Sequence, residues 1–585
     1  MQDIDIVIEI CGSAGEGTIS AGEILSRFMS EAGYEIMSFD SYPAEIRGFG
    51  KCVAHTRVST SPIFSPGKYA DVLIALNDGH TISQLGTLKP DGILIYDSQP
   101  SSWHSEDKSV MAWVQPGMTT YGVPLARLAT KAAGNTRGRN MVALGAAAAL
   151  MTIGQDGFVA SIRRRYAKKK QAIIDSNVNS FSEGYAWALE NIEKTDPYTF
   201  TGTQPETADT TKLIINGNQA VAMAAVDSNL ALYAGYPITP ATKIMEILGK
   251  ELPKRGGIML QTEDEISAIG AVIGAGFGGK RAMTATSGPG FCLMTEFTGL
   301  SVMAEVPAVI VDSQRGGPCT GLPTKTEQSD LRMALSGTGD SPRIVLAPSD
   351  TASCYQATAL GLYLAEKYQT LVIILLDFFL SNSIKNIPAP VKPGPEMLDA
   401  NIAPAPGDLD GYARYRLTDS GISPRTIPGT PGGMFFSTGL EHDEHGRPRY
   451  DSKTHTVMTQ KRYRKLASVL SEAPPPQVSG ANGQVDLGII SWGSSAGAAH
   501  EAVMTAARKG KSVAGFSTIM LSPLPQDALR EFAARCTTIL VPELNFTGQF
   551  ADVVESTIHR PVKRLNLVTG LPMASEDILQ KMREL

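Results

Sequence analysis

The sequence is short of several things, and each shortage removes a class of explanation. Its six cysteines (Cys11, Cys52, Cys292, Cys319, Cys354 and Cys536) include no CxxC pair. A disulfide framework, a structural zinc site and an iron–sulfur cluster held by this chain alone are therefore not expected. Long apolar runs are also missing. The best, Met141 to Gly154, is about 14 residues against the ~18 that a membrane span needs, and its alanines suit a buried helix. The opening MQDIDIVIEI has acidic residues where a signal peptide carries positive ones. Excess charge is small: 52 basic against 58 acidic residues give −6, which offers no nucleic-acid surface. The expectation is a cytoplasmic protein that partners neither membrane nor nucleic acid.

What is present is ordinary globular material, with 43% hydrophobic and 19% charged residues over 585 positions. That length implies roughly three or four domains. Residues 1–195 open as strand, glycine turn, helix and strand (DIVIEI, CGSAGEGTIS, AGEILSRFMSEAG, YEIMSFD), followed by the buried-strand runs ADVLIALN and DGILIYD. Residues 196–211 are polar and turn-rich and read as a linker. A second α/β block occupies 212–385, with RAMTATS, PAVIVDS, PRIVLAP and TLVIILLD as strands. Residues 386–483 are rich in proline and glycine, and so long an irregular connection is usually functional or wraps a neighbour. A third strand–turn–helix–strand block fills 484–585. The fold class is α/β and multidomain.

The first glycine turn, Gly12-x-x-Gly15-x-Gly17, could present backbone amides to an anion at a helix N-terminus. Asp40 ends the next strand, where a dinucleotide-binding domain keeps its ribose acid. The spacing is not G-x-G-x-x-G, and Glu16 puts a negative charge inside the supposed cradle. A structural or CoA-facing turn is the stronger reading.

The second block is more pointed. YAGYPITPAT (Tyr233 to Thr242) stops a strand with two prolines and holds Thr239 between rigid neighbours. QTEDEISAIGAVIGAGFGGKRAMTATSGPG (Gln261 to Gly290) sets three acids before a small-residue helix, then a strand and a TSGPG turn. SQRGGPCTGLPTKTEQSDL (Ser313 to Leu331) gives an arginine followed by a tight glycine loop. In this order the motifs resemble the alpha subunit of the 2-oxoacid:ferredoxin oxidoreductases, thiamine-diphosphate enzymes that cleave or form 2-oxoacids. The flanks agree: SYPAEIRG (Ser41 to Gly48), TGLEHDEHGRPRYD and VPELNFTGQ (Val541 to Gln549) are similar to family segments. The resemblance covers most of the chain as a gamma–alpha fusion, the form most familiar from 2-oxoglutarate:ferredoxin oxidoreductases. It implies a gamma-type Rossmann-like domain, a pyrimidine-binding domain and a C-terminal transketolase-C-like domain.

The resemblance also implies roles. A carboxylate that hydrogen-bonds the aminopyrimidine ring nitrogen activates the cofactor, and burial fixes and tunes such a group. Glu265 is the candidate, Glu263 the runner-up, and Asp264 should face elsewhere. Arg315 would bind the substrate carboxylate with a matching fork, and Thr239 would donate a hydroxyl. Tyr236, Pro237, Ile238, Ser287 and Gly288 would line the cofactor, and Gly288 and Gly290 would let the backbone come close. Three positions depart from the family pattern: Cys319 replaces serine in GPCTG, Glu16-Gly17 replaces Gln-Gly, and Arg47-Gly48-Phe49-Gly50 interrupts Arg-Gly-Gly.

No GDG motif exists for a magnesium-held diphosphate; the nearest are PDG at Asp91 and QDG at Asp156. Magnesium, the [4Fe-4S] cluster and half of the thiamine diphosphate site are thus expected in a beta subunit, with ferredoxin as acceptor, CoA as substrate and a heterotetramer as the assembly. The leading expectation is 2-oxoglutarate converted to succinyl-CoA, or the reverse. Pyruvate or branched-chain 2-oxoacids are the near alternatives. A transketolase-like or lipoamide-linked component and a non-catalytic nucleotide-binding module are the distant ones.

Overall fold

The computed structural model describes residues 4–43, 50–99, 109–200 and 212–585. Arg47, Gly48 and Phe49, most of SYPAEIRG, and residues 201–211 of the expected linker lie outside the described residues. The chain divides into two compact units. One comprises Met1–Ile215 with Ser383–Ala389 and Ala574–Asp577, and the other comprises Asn216–Asn382, Pro390–Met573 and Ile578–Leu585.

The first unit is built on the strand Asp5–Ser13, in which Ile6, Ile8 and Ile10 alternate with Val7 and Cys11 and all five are buried. Both faces are covered, so apolar residues fill the run on either side of buried Glu9, which is bonded to His55 at 3.0 Å. The strand pairs antiparallel with Lys51–Ser59 and parallel with Ala70–Ala75. The eight-stranded sheet runs Thr119–Val123, Leu88–Asp97, Ala70–Ala75, Asp5–Ser13, Lys51–Ser59, Glu35–Ser41, Ile384–Ile387, Leu213–Asn216. The alanine-rich segment is a helix, Arg139–Leu150, buried from Asn140 to Leu150, as its lack of charge anticipates. It packs against Gln171–Asn191.

Two features of this unit were not expected. Residues 196–200, which composition assigns to a linker, are fastened to the sheet. The Thr195 and Asp196 amides donate to Tyr121 Oη (2.9 and 3.2 Å), Tyr198 Oη donates to Asp71 (3.0 Å), and Phe200 is buried edge-on against Tyr34. The strand Ile384–Ile387 also joins the sheet. Asn386 substitutes for missing ladder partners, accepting from the Ile36 amide (3.0 Å) and donating to the Tyr34 carbonyl (2.8 Å).

The second unit carries two sheets. Its seven-stranded sheet runs Met520–Ser522, Ile344–Leu346, Leu371–Asp377, Ala308–Gln314, Ala282–Thr286, Leu232–Gly235, Ile258–Gln261. All neighbours are parallel except the Met520–Ser522 edge. The five-stranded sheet runs Gln477–Gly480, Val513–Ser517, Val485–Ser491, Cys536–Glu543, Lys563–Asn566. One apolar core joins them, with Ile310, Val345 and Leu375 in the same cluster as Ile490, Trp492 and Phe516.

The proline- and glycine-rich stretch is not irregular throughout, because it contains the helix Ser452–Arg464. The residues this helix buries are Met458, Lys461 and Arg462, so no apolar stripe marks it in the sequence. Charge holds the stretch in place. Lys461 Nζ meets both Glu305 oxygens at 2.8 Å, Lys465 reaches the same carboxylate at 2.7 Å, and Arg414 donates to the Glu305 carbonyl (2.7 Å). Arg425 pairs with buried Glu366. Burial works to raise the Glu305 pKa, but Lys461, Lys465 and Arg414 overcome it and hold the carboxyl well below the usual range.

Candidate active site

Four strands of the seven-stranded sheet are parallel neighbours and end together, so the loops that follow them share one edge. These are Leu232–Gly235, Ile258–Gln261, Ala282–Thr286 and Ala308–Gln314. In an open α/β sheet this carboxyl edge is where ligands bind. The loops carry Tyr236–Thr239, Thr262–Glu265, Ser287–Gly290 and Arg315–Gly321.

The acidic trio is sorted by the helix it starts. Asp264 is the N-cap and accepts from the Ser267 amide at 2.7 Å, Glu263 is exposed, and Glu265 is buried as the first helical residue of Glu265–Phe277. A capping acid and a dipole-favoured first-turn acid are ordinary helix chemistry, but a buried one needs a partner. The Glu265 carboxylate lies over the TSGPG turn. A Cβ placed on Gly290 would come within 2.5 Å of Glu265 Oε1 and 2.2 Å of Thr286 Oγ1. Only glycine leaves that carboxylate where it is.

The YPITP loop is fastened at several points. The Thr242 amide and hydroxyl both donate to the Ile238 carbonyl at 3.0 Å, and Asn218 Nδ2 donates to the Pro240 carbonyl at 2.9 Å. The Thr239–Pro240 peptide is cis. Thr239 and Tyr236 are exposed, while Pro237 and Ile238 are half-buried. The Thr239 carbonyl accepts from Arg315 Nη1 at 2.7 Å, which joins two residues that lie far apart in sequence. Arg315 is 7% exposed, and its Nε has no hydrogen-bond partner among the described residues. Burial pulls its pKa down while Asp330 and Cys319 oppose the shift.

The next loop, GGPCTGL, is folded back on itself by a 2.8 Å bond from the Leu322 amide to the Gly316 carbonyl. Cys319, in the position where the family has serine, is exposed with φ +56°. Gln328 then ties this region to the five-stranded sheet, donating to the Trp492 carbonyl (2.9 Å) and accepting from the Leu544 amide (3.1 Å). VPELNFTGQ has a structural job at that junction. Buried Glu543 accepts from the Phe550 and Ala551 amides (2.8 and 3.0 Å) at the start of Gln549–Ile558, and Asn545 donates to the Gln328 carbonyl (2.9 Å).

The site also contains two acids that sequence reading passed over. Asp312 lies two residues before the end of its strand, opposite Thr286, and is fully buried; Asp330 lies beside it, and Asp330 Oδ2 stands 2.7 Å from where a Cβ on Gly288 would be. Burial, reinforced by Asp330, pushes the Asp312 carboxyl well above its ordinary value. Burial likewise pushes Asp330 up to about 6. Beside them Ser287 Oγ and Thr284 Oγ1, both buried, lack hydrogen-bond partners among the described residues. Glu265, Ser287, Gly288, Arg315 and Thr239 are thus linked through Thr286, Gly290 and Asp330 at one sheet edge.

The first glycine turn is different. Glu16 Oε2 accepts from the Ser13 amide (2.6 Å), Glu16 Oε1 pairs with Arg139 (2.7 Å), and Asn140 Nδ2 donates to the Gly17 carbonyl (3.1 Å). Asp40 is half-buried, and desolvation followed by Glu23 raises it to about 7.

A parallel sheet with a buried glutamate on a glycine turn and an arginine-bearing loop at its carboxyl edge is the arrangement implied by the resemblance to thiamine-diphosphate-dependent oxidoreductases of 2-oxoacids, and comparison with known proteins bears that class out. The family described as pyruvate flavodoxin/ferredoxin oxidoreductase, thiamine diphosphate-binding, matches residues 223–461. Pyruvate ferredoxin/flavodoxin oxidoreductase matches 7–187, and pyruvate:ferredoxin oxidoreductase core domain II matches 485–578. The chain is 33% identical to the 2-oxoglutarate oxidoreductase subunit KorA of Mycobacterium tuberculosis over 98% of its own length and 90% of the relative's. It is 36% identical to the 2-oxoglutarate synthase subunit KorA of Methanocaldococcus jannaschii, over 58% of this chain and 90% of that one. Among solved structures it is similar to the 2-oxoglutarate:ferredoxin oxidoreductase of Magnetococcus marinus, solved with 2-oxoglutarate, coenzyme A and succinyl-CoA bound. That chain is 36% identical, with a TM-score of 0.92 and 99% of each chain covered. The chain belongs to the 2-oxoacid:ferredoxin oxidoreductase family, as a KorA-like alpha subunit of the fused gamma–alpha type. No helix among the described residues is long and apolar enough to cross a membrane.

Proposed function

We propose that the chain, active only with a beta subunit, acts on 2-oxoglutarate, converting it with CoA and two equivalents of oxidised ferredoxin to succinyl-CoA, CO2, a proton and two equivalents of reduced ferredoxin. The observation that carries this is the likeness over 99% of both chains to a protein solved with 2-oxoglutarate, coenzyme A and succinyl-CoA bound. The reverse direction, fixing CO2, uses the same groups.

The residues at the sheet edge suit the aminopyrimidine end of thiamine diphosphate. A buried carboxylate is held over a glycine by its helix N-terminus, and a buried serine hydroxyl beside it lacks a partner. Thiamine diphosphate, when bound, supplies the nucleophilic carbon and the electron sink that 2-oxoacid cleavage needs. The Glu265 carboxylate would hydrogen-bond the aminopyrimidine ring nitrogen, and its place at the helix start fixes where its oxygens sit. Ser287 and Gly288 line the ring, with Tyr236, Pro237 and Ile238 as the facing wall. Arg315 binds the substrate carboxylate through its free Nε edge, and Thr239 donates its hydroxyl. Both are pre-ordered by the Arg315–Thr239 carbonyl bond, so little motion is left to freeze on binding.

Among the described residues no cluster of His, Cys, Asp and Glu could hold a metal ion. In this reading the magnesium, the diphosphate contacts and the [4Fe-4S] cluster belong to a beta subunit, and the working particle is a cytoplasmic heterotetramer that reduces ferredoxin. Residues 1–195 form the gamma-type domain next to CoA, 212–385 the pyrimidine-binding domain, 386–483 the connection and 484–585 the transketolase-C-like domain.

The test is the chain assembled with its beta-type partner, assayed with a 2-oxoacid panel and ferredoxin or viologen as acceptor. 2-Oxoglutarate should give the highest kcat/KM. A preference for pyruvate or branched-chain acids sinks the substrate assignment, and an intact complex that reduces nothing with any 2-oxoacid sinks the reaction.

A further inference from the structure

Behind Ser287 and Arg315 lie two carboxyl groups that the reading above does not use. Neither oxygen of Asp312 has a hydrogen-bond partner among the described residues, nor does Asp330 Oδ2. The side chain each one faces is the other's. Two buried carboxylates at hydrogen-bond range cannot both be ionised, whereas one shared proton turns the repulsion into an O–H···O bond. Asp330 is held in place by its own amide, which donates to Gln314 Oε1 at 3.0 Å. Its carboxylate underlies Gly288 on one side and attracts Arg315 on the other.

We propose that Asp312 and Asp330 act as one singly charged acid pair that positions Arg315 and the Ser287–Gly288 turn. Arg315 is then held by the Thr239 carbonyl at 2.7 Å and attracted at longer range by Asp330, and its Nε edge remains open to an anion. One negative charge holds the guanidinium. Two would compete with the substrate carboxylates for it, and none would let it swing. Of the other charged groups nearby, Glu327 is engaged by the Gly317 amide (3.2 Å) and Ser329 Oγ (2.8 Å). Asp377, on the neighbouring strand, accepts from the Leu380 amide at 2.8 Å and is itself pushed up to about 6, chiefly by burial. Glu265 lies beyond Thr286, Cys319 beside Arg315, and Arg332 is paired with Asp552 at the surface. The inference rests on Arg315 being the substrate clamp, and its test separates the two.

In the assembled complex, KM for 2-oxoglutarate is measured across about pH 5.5 to 8.5 for the wild type, D312N, D312N/D330N, R315K and the triple variant. In the wild type KM rises as pH falls through about 6, where Asp330 takes up a proton. D312N/D330N preserves a hydrogen bond between the two side chains but carries no charge. It raises KM about tenfold, more than it lowers kcat, and abolishes the low-pH rise. D312N, whose amide can still donate to Asp330, raises KM less. In the R315K background the double substitution adds nothing further. Infrared difference spectra of the full chain (wild type minus D312N) contain a protonated-carboxyl stretch at about pH 8, where ordinary aspartates are ionised. If R315K raises KM while D312N/D330N keeps the wild-type KM and pH profile, the pair is overturned and the clamp stands. If R315K leaves KM unchanged, the clamp itself falls. Should the double variant not fold, absence of the protonated-carboxyl stretch overturns the proposal alone.

Discussion

The chain contains two strand–glycine turn–helix passages that look alike on paper and differ in what they do with their polar groups. In the first, around Gly12 to Gly17, Glu16, Ser13, Arg139 and Asn140 bond to one another and to the turn's backbone, and one buried hydroxyl there, Thr18 Oγ1, lacks a partner among the described residues. In the second, around Thr286 to Gly290, two hydroxyls, a guanidinium nitrogen and an acid pair are buried without hydrogen-bond partners among the described residues, beside the buried Glu265 carboxylate. Leaving a buried polar group unsatisfied costs about 1–3 kcal/mol, and a fold with several in one place holds them for something that completes them. The comparison teaches that a glycine turn is not itself a site. The unmet hydrogen-bonding capacity around it is.

The largest effect expected at the open turn is from Glu265→Gln, which keeps the shape and removes the carboxylate. With the complex assembled and its thermal unfolding unchanged, kcat should fall by about 100- to 10,000-fold. A drop smaller than tenfold would make Glu265 a helix-start acid and nothing more. Glu305 supplies the opposite extreme, because it too is a buried carboxylate, yet Lys461 and Lys465 bond its oxygens and Arg414 adds a third nearby positive charge. Glu305→Gln strands Lys461 and Lys465, so it should cost about 3–5 kcal/mol of stability. The sign with pH follows from the depressed carboxyl. The stabilisation is fully present above the unfolded value of about 4.3 and fades as pH falls toward the lower folded value. Acid unfolding of the wild type and the variant should therefore converge at low pH. Equal midpoints for the two at neutral pH would show that the ion cluster contributes nothing.

These contrasts were only partly visible in the sequence. The edge loops were legible because prolines and glycines punctuate the strand ends: Pro237 and Pro240, Gly288 and Gly290, Gly316 and Gly317. Glu265 is singled out by the resemblance, and in the fold it is the buried member of the acidic trio. Asp312 and Asp330 were not legible, since an aspartate closing VIVD reads as a solvated turn acid and its partner arrives only after the GGPCTGL loop folds back. The helix Ser452–Arg464 was hidden for a related reason. Its buried residues include a lysine and an arginine, and their counter-charges Glu305 and Glu441 lie elsewhere in the sequence. Apolar periodicity finds hydrophobic cores, and burial satisfied by charge at a distance leaves no periodic trace.

The smallest expected effect tests the closed turn. Glu16→Gln removes the ion pair with Arg139, whose side chain remains partly exposed, while the new amide oxygen can still accept from the Ser13 amide. A partly solvated pair of this kind contributes about 0.5–1 kcal/mol, so thermal unfolding should shift only slightly. The informative measurement is ligand binding. If the turn is closed because its own residues complete it, the variant chain gains no affinity for NAD(H) or other nucleotides in calorimetry. If it acquires such affinity, then Glu16 has been standing in for a phosphate, and the first turn differs from the second only in carrying its own anion. That result would collapse the distinction between the two turns to a single side chain, because a helix N-terminus freed of its carboxylate presents the same amide donors to any anion of matching shape.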